Sequence, residues 1–396
     1  MDRQIDLMAP EVRANPYPIY ASLRSTGPCQ VGPGGMWAIS RHADVLAVLR
    51  DPRRFSSAGL AMSFEPPWLG RNPLADSLVM KDPPDHTRLR AVIAHAFGPP
   101  ALARLEPHIR LMADELAAGA VERRDIDFVA EFSSRLPARV LGLLLGLPES
   151  LAAHLQRWAD DLLAIPAGQP TAQRRERIRA SVGEMEQCFA ELLAARRAAP
   201  GEDLISDLVR AEQAGQIDRR ESMSFLFALV PAGVETTVHL LGNTMTVLAR
   251  HADVCAQVLA DPGLLPALIE EVLRLEPPGH SSLRLATEDA ELSGVRIPRH
   301  AVLVVLLAAA LRDEERFPHA DQLVLDRERT SHLPFGHGVH YCLGHLLARM
   351  EARLGLEALF SRIRAFHLRE REIQWTQSLI ARGPVSLSVH LEPRPS

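Results

Sequence analysis

Apolar residues recur at three- and four-residue intervals through most of the chain, and alternate or cluster in short solid runs in only a few places. The first spacing lines one face of a helix; the second marks strands. Helical spacing predicts a short helix over 11–25, interrupted at Pro16 and Pro18, and another carrying Val45, Leu46, Val48 and Leu49. A helix opens within Asp82–Arg90 and stops before Pro99 and Pro100, where proline cannot continue the ladder. A series follows at about 101–119, 128–146, 150–165, 172–198 and 203–213. The longest periodic stretch, about 218–250, predicts a central helix, with two more near 252–259 and 264–276.

After Pro277 and Pro278 the pattern changes. Short strands are expected at Leu283–Ala286, Ala290–Leu292, Val295–Pro298 and Val302–Leu306, and near the end at about 366–370 and 385–391. Near the start, glycines and a proline separate Gln30–Val31 from Met36–Ile39, which suggests a hairpin. A loop over 56–80 is too long and too apolar to be a plain connection. The segment Asp313–His332 is charged and irregular, and a further helix runs from just after Cys342 to about Ile363. The fold class is mainly α with a minor β portion. No linker or repeat divides the chain, so residues 1–396 read as a single domain.

Composition narrows the function classes. Hydrophobic content of 47% and charged content of 23% are those of an ordinary water-soluble protein, and a net charge of −5 gives no reason to expect a nucleic-acid partner. The basic residues are nearly all arginine, Lys81 being the only lysine. The first residues lack the apolar core of a secretion signal, and no stretch reaches the roughly 20 uninterrupted apolar residues of a membrane span. A cytoplasmic protein with no membrane contact is expected. Cys29, Cys188, Cys255 and Cys342 are too far apart for a disulfide framework or a cysteine metal cluster.

Chemistry concentrates at Leu333–Gly344, where Cys342 sits between a glycine-rich turn and a helix. Gly336, Gly338 and Gly344 are expected to take backbone angles closed to other residues and to let main chain approach a planar ligand. A thiolate near the first turn of the following helix is favoured by the helix dipole. The local alternatives are a metal-ligating cysteine and an inert buried one.

In the central helix, residues 229, 232, 233 and 236 share a face that is small at Ala232 and Gly233 and carries a hydroxyl at Thr236 beside Glu235. This is either a notch for a small molecule or a helix-packing contact. Pro231 removes an amide donor and crowds the carbonyl of Phe227, predicting a kink over Phe227–Pro231. Glu271 and Arg274 are three apart on one helix, and His86 and Arg90 four apart on another, so each pair shares a face.

The pattern Phe335, Gly338, His340, Cys342, Gly344 resembles the haem-binding loop of the cytochrome P-450 family. The run Ala232–Thr237 is similar to that family's oxygen-binding helix motif, and ordered matches at 82–90, 271–274 and 284 extend the resemblance over nearly the whole chain. It implies a cytochrome P-450 fold of the soluble bacterial type. It also implies heme b (iron protoporphyrin IX) with Cys342 as metal ligand, cradled by Phe335, Gly336, Gly344, Ala232 and Gly233. His86, Arg90, Arg284 and His340 match the propionate partners. By the same resemblance Thr236 orders hydrogen bonds around dioxygen and Glu235 relays protons. Glu271 and Arg274 match a buried structural pair; Gln322 stands where the family usually adds an arginine, with Arg327 or His332 as substitutes.

The implied activity is a monooxygenase that inserts one oxygen atom into a C–H or C=C bond. Electrons come from a ferredoxin with its reductase, docking near Cys342 on arginines such as Arg104, Arg349 and Arg353. Substrate contacts are expected from Met62, Phe64, Trp68, Leu229, Ala232, Ser281, Ser282, Leu283, Leu379 and Ile380, with His280 as a further hydrogen-bonding group. That mainly apolar set suits a polyketide, macrolide, terpenoid or carrier-bound acyl or aromatic group, handled by a monomer that tailors secondary metabolites. The rival readings are a non-catalytic haem-binding relative acting by recruitment, a haem sensor, and a peroxide-driven enzyme. Retention of both Cys342 and Thr236, the lack of an output domain, and the Glu235–Thr236 pair argue against each in turn.

Overall fold

The strand Val302–Val305 lies at the centre of a five-stranded sheet, parallel to Met36–Ile39 on one side and antiparallel to Ser282–Ala286 on the other. Cys29–Val31 and Phe55–Ser56 form the two edges. Successive side chains on a strand point to opposite faces. Accordingly Leu303 and Val305 enter a core with Ile39, Val48, Leu49 and Phe55, while Val304 enters another with Tyr20, Leu23, Val31 and Ala38. A strand covered on both faces must be apolar throughout, which explains the unbroken run that begins at Val302.

The computed structural model describes residues 5–64, 66–165, 170–328, 333–370 and 372–395, with only the backbone at 62–64, 149, 150, 152 and 153. His332 therefore lies outside the described residues, and the side chains of Met62 and Phe64 are likewise undescribed. Two compact units interleave along the chain. One comprises Met1–Ser56, Pro107–Leu136 and Thr236–Ser396; the other comprises Ser57–Glu106 and Pro137–Glu235.

All the described strands belong to the first unit. Besides the five-stranded sheet it holds a three-stranded sheet of Asp125–Asp127, Ser388–Pro393 and Ile363–Leu368, and the hairpin of Ala290–Leu292 with Val295–Ile297. The second unit is helical. Its helix Ala172–Ala198 buries Ile178, Ser181, Met185, Phe189 and Leu193 at spacings of three and four, and Phe189 meets Trp158 and Phe227 edge-on.

The long helix runs from Arg219 to Arg250 as one element with Pro231 inside it. The kink expected at Phe227–Pro231 does not interrupt it. It is also the one described helix long and apolar enough to cross a membrane, and 72% of its most apolar window is buried within the protein. The apolar run after Val305 turns into a short helix, Leu307–Ala310, where a continuing strand was expected only to Leu306. The helix after Cys342 is His345–Phe360.

Candidate active site

The cysteine loop is folded by its own main chain. Gly336 N–H donates to the carbonyl of Leu333 at 3.0 Å, Cys342 N–H to Phe335 at 2.9 Å, and Tyr341 N–H to Gly338 at 3.1 Å. Gly336 and Gly338 have φ of 72° and 71°, where a side chain is strained. At Gly338 a Cβ would also stand 2.4 Å from the carbonyl oxygen of Leu49, so glycine lets the loop press against the end of the helix His42–Arg50.

Gly344 departs from expectation. Its φ is −85°, open to any residue, and a Cβ there would meet nothing within 4 Å. Its lack of a side chain answers no need of the backbone and leaves open space beside the cysteine.

Phe335 is held from the other side by Arg349, whose guanidinium lies 4.4 Å from the ring centre and forks onto Glu270 at 2.5 and 3.0 Å. Arg353 pairs with Glu357 at 3.0 Å. Both arginines, expected near a docking surface, are thus engaged in ion pairs and keep part of their side chains exposed.

Glu271 and Arg274 form a buried fork, Nε to Oε1 at 2.9 Å and Nη2 to Oε2 at 3.0 Å. The third member is Arg327, whose Nε donates to Glu271 Oε1 at 3.0 Å. Gln322, expected at that place, takes part only through its carbonyl, which accepts from Arg274 at 2.8 Å and Arg327 at 3.3 Å. Of the two substitutes the sequence offered, His332 lies outside the described residues, and Arg327 brings a guanidinium that forks between the Glu271 carboxylate and main-chain carbonyls.

The strand Ser282–Ala286 leads from this helix into the sheet. Arg284 on it is buried and donates to Ser282 Oγ and the carbonyl of Leu283, both at 2.6 Å. The turn carrying Leu379 and Ile380 is tied to the start of the strand: Ser281 Oγ donates to Leu379 at 2.9 Å and His280 N–H to Ile380 at 2.7 Å. Leu283 and Leu379 are half-buried and Ile380 exposed. His280 is not turned out as a substrate contact. It is fully buried, with Nδ1 3.2 Å from the hydroxyl of Tyr20, and burial holds its imidazole neutral, well below the usual range.

On the long helix, Ala232 is exposed and Glu235 and Thr236 are half-buried, while Leu229, Val230, Val234 and Thr237 are buried. Ala232, Glu235 and Thr236 thus form a less buried arc of a core helix, while Leu229 of the expected face is buried. A Cβ at Gly233 would lie 3.3 Å from Leu141 Cδ1, so its smallness also permits close helix packing. Burial, and secondarily the carboxylate of Asp160, raises Glu235 to about 7. Asp160 lies on the helix Glu149–Leu163, accepts from Gln156 at 2.9 Å, and is itself raised by burial. This coupling has no sequence signature, because the two acids lie on separate helices.

Also in the helical unit, His86 is buried and Arg90 half-buried, one turn apart on the helix Asp85–Ile93. Trp68 is half-buried, its carbonyl accepting from Arg179 at 3.1 and 2.9 Å.

Among the described residues no group of three or more His, Cys, Asp or Glu side chains is placed to hold a metal ion. Cys342 as a single protein ligand suits a metal that brings its other ligands with it, as a macrocycle does. A lone thiolate on a glycine turn, open space at Gly344 and cationic side chains for anionic substituents fit that kind of group.

Comparison with known proteins agrees with this donor set. Residues 161–389 match the family described as Cytochrome P450. A relative from Saccharopolyspora erythraea, Cytochrome P450 107B1, is 35% identical over 89% of this chain and 88% of its own. 6-Deoxyerythronolide B hydroxylase from the same organism is 32% identical over 98% of each. The structure of Cytochrome P450 CYP109Q5 from Chondromyces apiculatus superposes with a TM-score of 0.91 at 36% identity, covering the whole of both chains.

The chain belongs to the cytochrome P450 family. It is a monooxygenase of the soluble bacterial type whose cofactor is a haem-thiolate iron and whose turnover requires redox partners.

Proposed function

We propose that the single domain 1–396 holds heme b through Cys342 and oxidises a mainly apolar small molecule of secondary metabolism, a polyketide, macrolide, terpenoid or carrier-bound acyl or aromatic group. The observation that carries this reading is the cysteine loop, with its two left-handed glycines and the open position at Gly344. The hydroxylase relative named after 6-deoxyerythronolide B supports a substrate of that general class.

When bound, haem ligated by a thiolate supplies oxygen activation, the thiolate favouring O–O cleavage. The chain's own residues do the rest. The loop amides fix Cys342 in place, and Gly344 leaves room for close approach of the macrocycle. His86, Arg90, Arg284 and His340 are assigned to the propionates, where charge-assisted bonds are strongest.

Thr236 offers a hydroxyl in the less buried arc of the long helix. Glu235 beside it, raised to about 7, exchanges its proton near neutral pH, as a relay requires. Trp68, Leu229, Ser281, Ser282, Leu283, Leu379 and Ile380 are assigned to substrate. Electrons come from a ferredoxin with its reductase, and the enzyme acts as a cytoplasmic monomer.

The test is the carbon monoxide difference spectrum of the reduced protein. A thiolate-ligated Soret band in the wild type and its loss in Cys342→Ala is the expected result; absence of the band from folded, haem-loaded wild type would overturn the reading. A spin-shift screen against compounds of the named classes then identifies the substrate.

A further inference from the structure

A separate cleft of about 570 Å³ opens in the strand-bearing unit between the first helices and the ends of the long helix and the Glu271 helix. Its volume is that of a small-molecule site, and none of the residues assigned above to haem, oxygen or substrate lines it. Its walls carry Arg24, Arg250, Arg312 and Arg382 against two carboxylates, Glu276 and Asp321.

Glu276 is buried and accepts one short bond, from the hydroxyl of Tyr17 at 2.8 Å. Arg250, Arg312 and Arg382 all surround it at ion-pair separations of 3.5, 3.7 and 3.8 Å, longer than a short charge-assisted bond. One carboxylate therefore serves three guanidinium groups and satisfies none of them fully.

Two of those groups are rigidly mounted. Arg312 lies 3.3 Å over the Tyr17 ring and donates to the carbonyl of Leu275 and to Asp321. Arg382 lies 3.6 Å over Trp375 and donates to the carbonyls of Arg13 and Ala14. Arg250, at the end of the long helix, keeps half its side chain exposed. Behind the wall Arg13 is fully buried. Asp313 and Glu314 stand near Arg24 and offset part of its charge. Burial nevertheless pushes Arg13, Arg24 and Arg382 below the usual guanidinium range. Arg13 and Arg382 are buried; buried cations with too few counter-charges are costly, and an anion supplies what is missing.

We propose that this cleft binds a small polyanion, a phosphate ester or a polycarboxylate, through the guanidinium forks of Arg250 and Arg24 over the Tyr17–Arg312 platform. Planar forks with fixed donors suit paired anionic oxygens.

The experiment is calorimetric titration of haem-loaded protein with pyrophosphate and, separately, citrate, at constant ionic strength set with chloride. Saturable binding is expected, weakened about tenfold or more in Arg250→Glu and in Arg24→Ala, with the carbon monoxide spectrum unchanged in both variants. Pyrophosphate binding alone assigns a phosphate ester; citrate binding alone assigns a polycarboxylate. No saturable binding of either anion, or wild-type affinity in both variants, overturns the proposal. Because the spectrum reports Cys342 independently, failure here is distinguishable from failure of the monooxygenase reading.

Discussion

Arg327 reaches Glu271 across 56 residues of sequence and places its Nε 3.0 Å from Oε1, on the same oxygen that Arg274 engages at 2.9 Å. The remaining nitrogens of Arg327 donate to the carbonyls of Pro318, His319 and Gln322. One side chain thus fastens the irregular segment to the Glu271 helix. Arg327→Ala should cost about 1.5–3 kcal/mol, the range for bonds to charged groups. Gln322→Ala should be nearly neutral, because only its main chain is used. Denaturant melts of the two variants check the contrast, and equal losses would refute it.

Gly338→Ala adds a methyl at a φ of 71° and within 2.4 Å of the Leu49 carbonyl. Backbone strain of this kind costs about 1–3 kcal/mol, and the clash adds to it. Gly344→Ala meets neither obstacle in the protein. Its expected defect is in haem retention rather than in the stability of the haem-free chain. Melting curves and haem content, measured side by side, separate the two.

Glu235 is protonated below about 7 and ionised above it. If it delivers a proton, turnover should fall on the alkaline side with a midpoint near that value. Glu235→Gln should lower turnover and remove that limb. The charge on Asp160 contributes to the raised value, so Asp160→Asn should move the midpoint downward. A pH–rate series on the three proteins is the measurement. An unchanged midpoint in Asp160→Asn would show that the two acids are not coupled.

Global stability should have an optimum bounded on both sides. His239 is buried and lowered to about 3 by burial, and burial likewise holds His280 well below the usual imidazole range. For a group whose folded value lies below its unfolded one, stability is present above the unfolded value, about 6.5, and is lost as pH falls toward the folded value. Glu351, buried on the cysteine helix, is raised well above the usual carboxylate range by burial. Its contribution is complete below the unfolded value, near 4.5, and is lost as pH rises through the folded one. Melting temperatures across pH 4–9 should show the acid limb flattened by His239→Gln and the alkaline limb by Glu351→Gln.

The long helix, the helix series before it and the short strands after Pro278 were legible because each carries its own periodicity. The pieces that were missed lack it. Leu307–Ala310 hides in an apolar run that serves strand and helix alike, and Asp125–Asp127 is a polar edge strand fixed by pairing with Ser388–His390. At the site, local spacing located the cysteine loop and the less buried arc near Thr236. It left Arg327 as one of two substitutes for the third member, and could not tell that Gly233 meets Leu141 or that His280 turns toward Tyr20. Each of those depends on a partner far away in sequence, and periodicity is silent about such partners.

The parallel pairing of Met36–Ile39 with Val302–Val305 sets a schedule for synthesis. The amino-terminal hairpin leaves the ribosome with one edge unmatched, and at about 5–20 residues per second its neighbour arrives on the order of tens of seconds later. Through that interval an apolar edge is open to pairing with other nascent chains. Successful production of this enzyme in a foreign host should depend on slow expression at low temperature, or on a chaperone that shields Met36–Ile39 until the last third of the chain emerges.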